Sequence, residues 1–385
     1  MKVDAIPDRV RALLPEIAAR SAELESLRRI PLDLVEKLRS AGCFRMATPR
    51  AFGGAELDIR QRLPILELLS RADASTGWTV AIGHEAPILL SRCAASAFES
   101  FYSRGPDVVL AGGAAPTGTA DVVAGGYRVS GRWAWASGSL HADFLLGNCV
   151  VRDGGTPRPG RIEGRPEIRA VVVPRDEATV LVTWRTSGLR ATGSNDVVIE
   201  DVFVPFERSF DFADAEPSLA NPVYRAFGVQ GGLDLAAVAL GIAQGALDDV
   251  TALARSGKRR LWAPASLAEQ PLFQHQLGEA DVTLLAARRT LHAQAEAFVA
   301  DVAALPSGPA MVLHPLATEC RATATWVART AARVVDAAYQ AGGGTSLHES
   351  CPLQRRFRDV HTLTQHAILG EAMFAQHGAV LAGAA

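Results

Sequence analysis

Residues 126–144 read Gly126-Tyr127-Arg128-Val129-Ser130-Gly131-Arg132-Trp133-Ala134-Trp135-Ala136-Ser137-Gly138-Ser139-Leu140-His141-Ala142-Asp143-Phe144. Tyr127 and Val129 alternate with Arg128 and Ser130, the period of a half-buried strand. Ser130-Gly131 predicts a turn, and Arg132 to Ala136 a second extended run that breaks at Ser137-Gly138-Ser139. Two tryptophans beside a small, hydroxyl-bearing turn offer a flat aromatic ligand a wall and a few polar contacts. The same pattern is what a β-hairpin filling a core with its aromatics would show. Both readings stand at this level.

Outward from this stretch, composition narrows the class. A chain of 385 residues exceeds one ordinary core and predicts two or three domains. Hydrophobic residues make up 48% and charged residues 21%, as in ordinary globular enzymes. A net charge of -2 gives no electrostatic reason for a nucleic-acid or membrane partner. No apolar signal core follows Met1-Lys2-Val3-Asp4, and no stretch has the length and purity of a membrane span. Cys43, Cys93, Cys149, Cys320 and Cys351 are scattered, without a CxxC pair. This pattern predicts neither a disulfide framework nor a metal site, and fits a reducing cytoplasm.

The chain falls into three textures. Residues 1–105 read as an N-terminal α-helical domain. Ile6-Pro7-Asp8 starts a helix, and Pro31 opens another with Leu32, Leu34, Val35 and Leu38 inward and Gly42 ending it. Asp73-Ala74-Ser75-Thr76 caps a helix running through His84. Residues 106–216 read as a middle β-domain, with strands at 108–113, in the 126–136 hairpin, and at 144–151, 168–173, 179–184 and 197–204. Ala114 to Asp121 reads as a loop of small residues, and 153–167 as an exposed Gly/Pro/Arg loop. Residues 217–385 read as a C-terminal four-helix bundle, with helices at 233–254, 273–302, 311–339 and 353–380. A basic loop, Ser256-Gly257-Lys258-Arg259-Arg260-Leu261-Trp262, and a glycine turn, Gly342-Gly343-Gly344, interrupt it. The fold class is α+β.

Several motifs in this order resemble the acyl-CoA dehydrogenase superfamily along nearly the whole chain. They are Trp135-Ala136-Ser137, the small-residue loop Gly113 to Asp121, Asp201-Val202-Phe203-Val204-Pro205, Leu240 to Asp248, the glycine turn, and Arg358-Asp359. The family's α-proton abstraction needs a glutamate. The position beyond the Arg-Asp pair here holds His366 and Ala367, and the alternative position on the first bundle helix falls on Gly231 or Gly232. Asp234 is the nearest carboxylate. A last-helix histidine instead resembles the two-component flavin-dependent monooxygenases of the superfamily, as do Gln354 to His366 and Gly188 to Asp196.

The resemblance implies an enzyme that borrows reduced flavin (FADH2 or FMNH2) from a separate flavin reductase. It reacts the flavin with O2 through a C4a-hydroperoxide and hydroxylates a phenolic or polycyclic aromatic small molecule. It implies His366 as the base toward the substrate, Ser137 near flavin N5, and Trp135 flanking the ring. Arg259 or Arg260 would meet a flavin phosphate, and Gly342, Gly343 and Gly344 would approach the cofactor across a homotetramer interface. His84 matches a substrate-pocket histidine of the branch, with a satisfied structural histidine as the alternative. His361 is the competitor of His366, five residues away on the expected helix. Trp184, Arg190 and Ser194 are candidate cavity residues, and His141 reads as structural. Three other readings remain: an N- or S-oxygenase of the same branch, a dehydrogenase or oxidase using Asp234 as an atypical base, and a flavin-free bundle protein.

Overall fold

The computed structural model describes residues 5–161, 163–211, 215–259, 263–306 and 308–384. Among these, the N-terminal part is helical: α1 (Ile6–Ala19), α2 (Ser21–Leu27), α3 (Leu32–Ala41), α4 (Ile59–Ala72), α5 (Ala74–Gly83), α6 (Ala86–Leu90) and α7 (Ala95–Phe101). Asp58 opens α4 with a capping box shared with Gln61, and Asp73 opens α5 by accepting from the Thr76 N–H at 2.8 Å. Gly42 ends α3 in the left-handed conformation, where glycine carries no steric penalty. Leu32, expected inward, is exposed: it is the first residue of α3, and its face lies outside the stripe that buries Leu34, Val35 and Leu38.

The middle of the chain forms β1 (Leu110–Val123), β2 (Gly126–Ala136), β3 (Phe144–Asp153), β4 (Thr156–Pro157), β5 (Ile168–Pro174), β6 (Thr179–Leu181), β7 (Asn195–Pro205) and β8 (Ser209–Asp211). They build one sheet in the order β6-β7-β2-β1-β3-β5-β8, with β4 on the side of β3. β1 and β3 are parallel, and the other pairings are antiparallel.

Two sequence expectations are corrected here. Ser130-Gly131 is not a turn: β2 runs through it, and its register against β7 shifts at that point, a bulge that adds twist without reversing the chain. The reversal lies at Ala124-Gly125, where Gly125 has φ +78°. Ala114 to Asp121 is likewise not a loop but belongs to β1, with a register shift between Gly113 and Gly118.

Small residues in these strands have a packing reason. The indole of Trp133 is 1% exposed and donates from Nε1 to the Asn148 carbonyl at 2.8 Å. Cβ atoms at Gly118, Gly131 and Gly147 would stand 2.1, 2.7 and 2.5 Å from its ring. Three glycines thus form a slot for one indole. Glycine-rich composition that resembles a loop in sequence is a strand under a large aromatic side chain.

The C-terminal part is α8 (Phe227–Arg255), α9 (Pro271–Asp301), α10 (Pro309–Val312), α11 (Pro315–Gly342), α12 (Pro352–Leu363) and α13 (Ala372–Leu381). α8 is long and apolar because it is the bundle's centre, packed against α4, α11 and α12 and buried on most of its faces. The expected fourth long helix breaks after Leu363. The chain extends at His366 (φ -67°, ψ 130°) and makes one 3-10 turn before α13. The break carries Ile368 onto α8 where Gly231 and Gly232 have no side chains: their Cβ positions lie 3.6 and 3.9 Å from Ile368. His366 is therefore on a connecting turn, not on a helix.

The two tryptophans of β2 separate in kind. Trp133 is core, whereas Trp135 is 73% exposed and holds φ +67°, a left-handed conformation rare for an aromatic residue. Trp133→Ala is expected to cost about 3–5 kcal/mol of folding stability. Trp135→Gly is expected to leave stability unchanged or raise it by up to about 1 kcal/mol by relieving the strained φ. Chemical denaturation of the two variants tests the contrast.

Candidate functional site

A cavity of about 1740 Å³ opens between the helical N-terminal part, the sheet and the bundle. It exceeds the roughly 300–1,000 Å³ of a site for one small molecule. Its wall takes Trp78 and Ile82 from α5, Gly113 from β1, Trp135 from the end of β2, Leu235 from α8 and His366 from the turn after α12. The lining is mostly apolar, with a few polar groups at defined places.

The first of these is a chain of hydroxyls. Trp78 Nε1 donates to Ser137 Oγ at 3.0 Å, Ser137 Oγ meets Ser194 Oγ at 2.7 Å, and Ser194 Oγ meets Thr192 Oγ1 at 2.6 Å. Thr192 Oγ1 donates to the Leu189 carbonyl at 2.9 Å. Its one proton is thereby used, so Ser194 donates to Thr192 and Ser137 donates to Ser194. Ser137 is left with an acceptor lone pair and no proton for a ligand. The arrangement selects a ligand N–H at that spot.

Trp78 also meets His366, ring edge to ring face, with centroids 5.5 Å apart. The His366 imidazole opens onto the cavity. Its Nδ1 lies 3.4 Å from the Ile368 N–H, which leaves Nε2 for the cavity. Burial holds its pKa below the ordinary histidine value, so it is neutral at neutral pH. His361 also lines the cavity, but its Nε2 is bonded to Asp336 Oδ1 at 2.8 Å. Trp135 projects into the cavity from its bulge, where the β2–β7 register breaks between Trp133 and Ala136.

Other expected residues fall elsewhere. His84 is fully buried and not on the cavity wall. Burial depresses its pKa, opposed by Asp234, whose Oδ2 lies 3.4 Å from Nε2. Neither ring nitrogen makes a hydrogen bond among the described residues, so His84 is buried without being satisfied. Asp234 is also fully buried and off the wall, held by Arg62 at 3.3 Å, so it cannot reach a substrate as a base. Trp184 and Ser194 line the cavity; Arg190 instead pairs with Glu25 at 3.3 Å. His141 is half-buried and off the cavity wall, and loss of water around the ring followed by Arg39 pushes its pKa down to about 4. Arg259 is exposed and away from the cavity, and Gly342, Gly343 and Gly344 are not on its wall either. Arg260 lies outside the described residues.

Sequence reasoning passed over Trp78, Glu85 and Arg92, all on the wall. A signal existed: Trp78, Ile82, Glu85, Leu89 and Arg92 recur at spacings of four and three, one helical face carrying two ionisable groups among apolar ones.

Residues 3–94 match the model of the acyl-CoA dehydrogenase N-terminal domain, and residues 233–371 that of the acyl-CoA dehydrogenase C-terminal domain. An indole-3-acetate monooxygenase of Pseudomonas putida is 34% identical, over 95% of this chain and 90% of its own. The flavin-dependent monooxygenase oxygenase subunit HsaA of Rhodococcus jostii is 32% identical over 93% of each. The structure of XiaF from Streptomyces sp. in complex with FADH2 and glycerol superposes with a TM-score of 0.89 at 27% identity, covering 99% of this chain and 96% of that one.

Ser137→Ala leaves the Trp78 N–H without an acceptor inside the wall. We expect a loss of about 1–3 kcal/mol in stability, read as a lowered Tm, because a buried donor stripped of its partner keeps its full desolvation cost.

Proposed function

This chain belongs to the acyl-CoA dehydrogenase family, in its branch of flavin-dependent monooxygenase oxygenase components, and we propose that it hydroxylates a phenolic or polycyclic aromatic small molecule beside His366. It uses reduced flavin and O2 and works with a separate reductase. The observation that carries the proposal is the His366 imidazole, open to the cavity and set against Trp78.

The cavity fits the cofactor. It has room for a tricyclic ring and a substrate together, and Ser137 would offer an acceptor to the N5–H of reduced flavin. Trp135, at the cavity's edge and at a strained φ, would provide a flat face for the ring. When bound, reduced flavin supplies the activated oxygen. The protein's own work is orientation, water exclusion and proton handling. The apolar wall keeps water from the reacting atoms. His366, unprotonated, accepts the substrate's phenolic or ring proton as the aromatic ring becomes nucleophilic.

We further propose a cytoplasmic homotetramer. Leu272 and Val282 on α9 are exposed at 61% and 63%, an outward apolar face of the kind that subunit contacts cover. The glycine turn, remote from its own cavity, is then free to reach a neighbour's flavin. A monomer by light scattering would remove this part of the proposal.

The test of function mixes protein and anaerobically reduced FAD or FMN with oxygen in a stopped-flow spectrometer. The reading requires an absorbing transient that outlives the reoxidation of free flavin. His366→Ala is expected to keep flavin affinity, lower product formation at least tenfold and raise hydrogen peroxide release; unchanged coupling would remove His366 from the mechanism. Because desolvation lowers its pKa, the acid limb of coupling in the wild type should lie at lower pH than an ordinary histidine would give, as His366 gains a proton. His366→Asn should lack that acid limb.

A further inference from the structure

The cavity wall carries more ionisable groups than the chemistry above uses, and most are already engaged. Arg132 pairs with Asp196 at 2.6 Å, Arg225 with Glu216 at 3.7 Å, and His361 with Asp336 at 2.8 Å. Apart from His366, two remain: Glu85 and Arg92.

Glu85 is 5% exposed, yet among the described residues its carboxyl has no hydrogen-bond or ion-pair partner. Its Oε1 lies 3.0 Å from where a Cβ on Gly231 would stand, so a side chain at 231 would crowd the carboxyl. Arg92 lies seven residues further on. The backbone of His84, Glu85 and Ser91 is right-handed helical, so the helical path from α5 continues through α6. Seven residues are two turns, about 10 Å along the axis, on one face. Helical side chains lean toward the N-terminus, and Arg92 does so: its Nη1 donates to the Ile88 carbonyl and, at 3.5 Å, to that of Tyr224. Both partners are neutral. Among the described residues no carboxylate pairs with the guanidinium. Glu216, the acid whose charge it feels, is engaged by Arg225.

A buried carboxyl with no partner and a half-buried guanidinium with no counterion, on one face of one cavity, form a recognition surface that awaits a ligand. We propose that this face reads the substrate at two points, Arg92 binding an anionic substituent and Glu85 accepting from a ring N–H or O–H. The substrate class is then an aromatic acid whose ring system carries a hydrogen-bond donor. The proposal rests on the monooxygenase reading for its cavity and deepens it.

Charge supports the assignment. Burial raises the Glu85 pKa well above the carboxylate range, and the nearby Asp234 carboxylate pushes the same way against Arg62. Arg62 is already committed to Gln230 at 2.7 Å and Asp234 at 3.3 Å. The shift favours the neutral acid and so lessens repulsion of an anionic substrate, while a carboxyl oxygen remains an acceptor. Burial lowers the Arg92 pKa to about 10, which leaves it charged at neutral pH. A carboxylate binding there meets a cation already stripped of much of its water, which strengthens the contact.

The test is equilibrium binding to enzyme loaded anaerobically with FADH2, by calorimetry. The probes are indole-3-acetate, which has both groups, indole-3-acetamide, which lacks the charge, and 1-methylindole-3-acetate, which lacks the N–H. Wild type is expected to bind the acid at least about tenfold more tightly than either analogue, the span of one charge-assisted or buried hydrogen bond. Arg92→Gln should bind acid and amide alike. Glu85→Leu should bind the acid as weakly as wild type binds the 1-methyl compound, and Glu85→Gln, which keeps an acceptor oxygen, should restore binding to within about threefold. Circular dichroism confirms folding; should a variant fail it, the two analogues on wild type decide alone. Equal wild-type affinity for the acid and either analogue, or no binding of the acid, overturns the proposal. No oxygen is present, so failure of the oxygenation reading shows in the stopped-flow experiment and leaves the binding result standing.

Discussion

One buried hydrogen bond joins the sheet side of the site to the bundle side. The Leu189 N–H donates to Asp359 Oδ1 at 2.6 Å, from a carboxyl that burial pushes up to about 7. Around it Arg358 donates to the Ser187 carbonyl and pairs with Glu25 at 2.5 Å. A Cβ on Gly188 would come within 2.1 Å of the Arg358 carbonyl oxygen, so the two segments pack backbone to backbone. The position of Leu189 fixes its carbonyl, which takes the Thr192 proton. From there the donor order runs through Ser194 and Ser137 to Trp78, and Trp78 sets His366. The polarity of Ser137 toward a ligand is thus decided about 50 residues further along the chain, at a contact with α12.

A second constraint lies behind the wall. Arg62, Asp234, Gln230 and His84 are all essentially inaccessible, and the arginine is held by Gln230, Asp234 and the Leu57 carbonyl. Isolated, any of these charges would be costly. Together they fix α4 against α8 and give the neighbourhood a charge arrangement in which a further carboxylate is unfavourable. Glu85, one residue past His84, takes the consequence as a proton. The same helical turn therefore carries a structural histidine pointing inward and a carboxyl facing the cavity.

Much of this was legible in the sequence. The three textures, the caps at Asp73 and Gly42, the family and the Trp-Ala-Ser element all follow from local patterns that tertiary structure left alone. What was not legible depended on long-range packing. Gly118, Gly131 and Gly147 look like turn residues until Trp133 is placed over them. The last helix looks continuous because its break is dictated not by a proline but by the glycine pair on α8 that receives Ile368. The engagement of His361 by Asp336 could not be inferred from spacing, since it crosses from α12 to α11.

The break after Leu363 also bears on how one fold supports two chemistries. A dehydrogenase of this family needs an ionised carboxylate in reach of a carbon acid. Here the first bundle helix presents Gly231 toward the cavity, and the carboxyl that stands against that glycine, Glu85, has its pKa raised well above the carboxylate range by burial. The remaining base is an imidazole on a short extended turn rather than on a helix. Such a turn can set a ring edge-on to Trp78 in a way that helical side-chain directions would not allow. Gly231, the Glu85 carboxyl and the turn after α12 thus meet at one place on the cavity wall. A glutamate placed at 231 would crowd the Glu85 carboxyl from its Cβ onward, and two carboxyls so close would raise each other's pKa, which works against either serving as the ionised base that dehydrogenation requires.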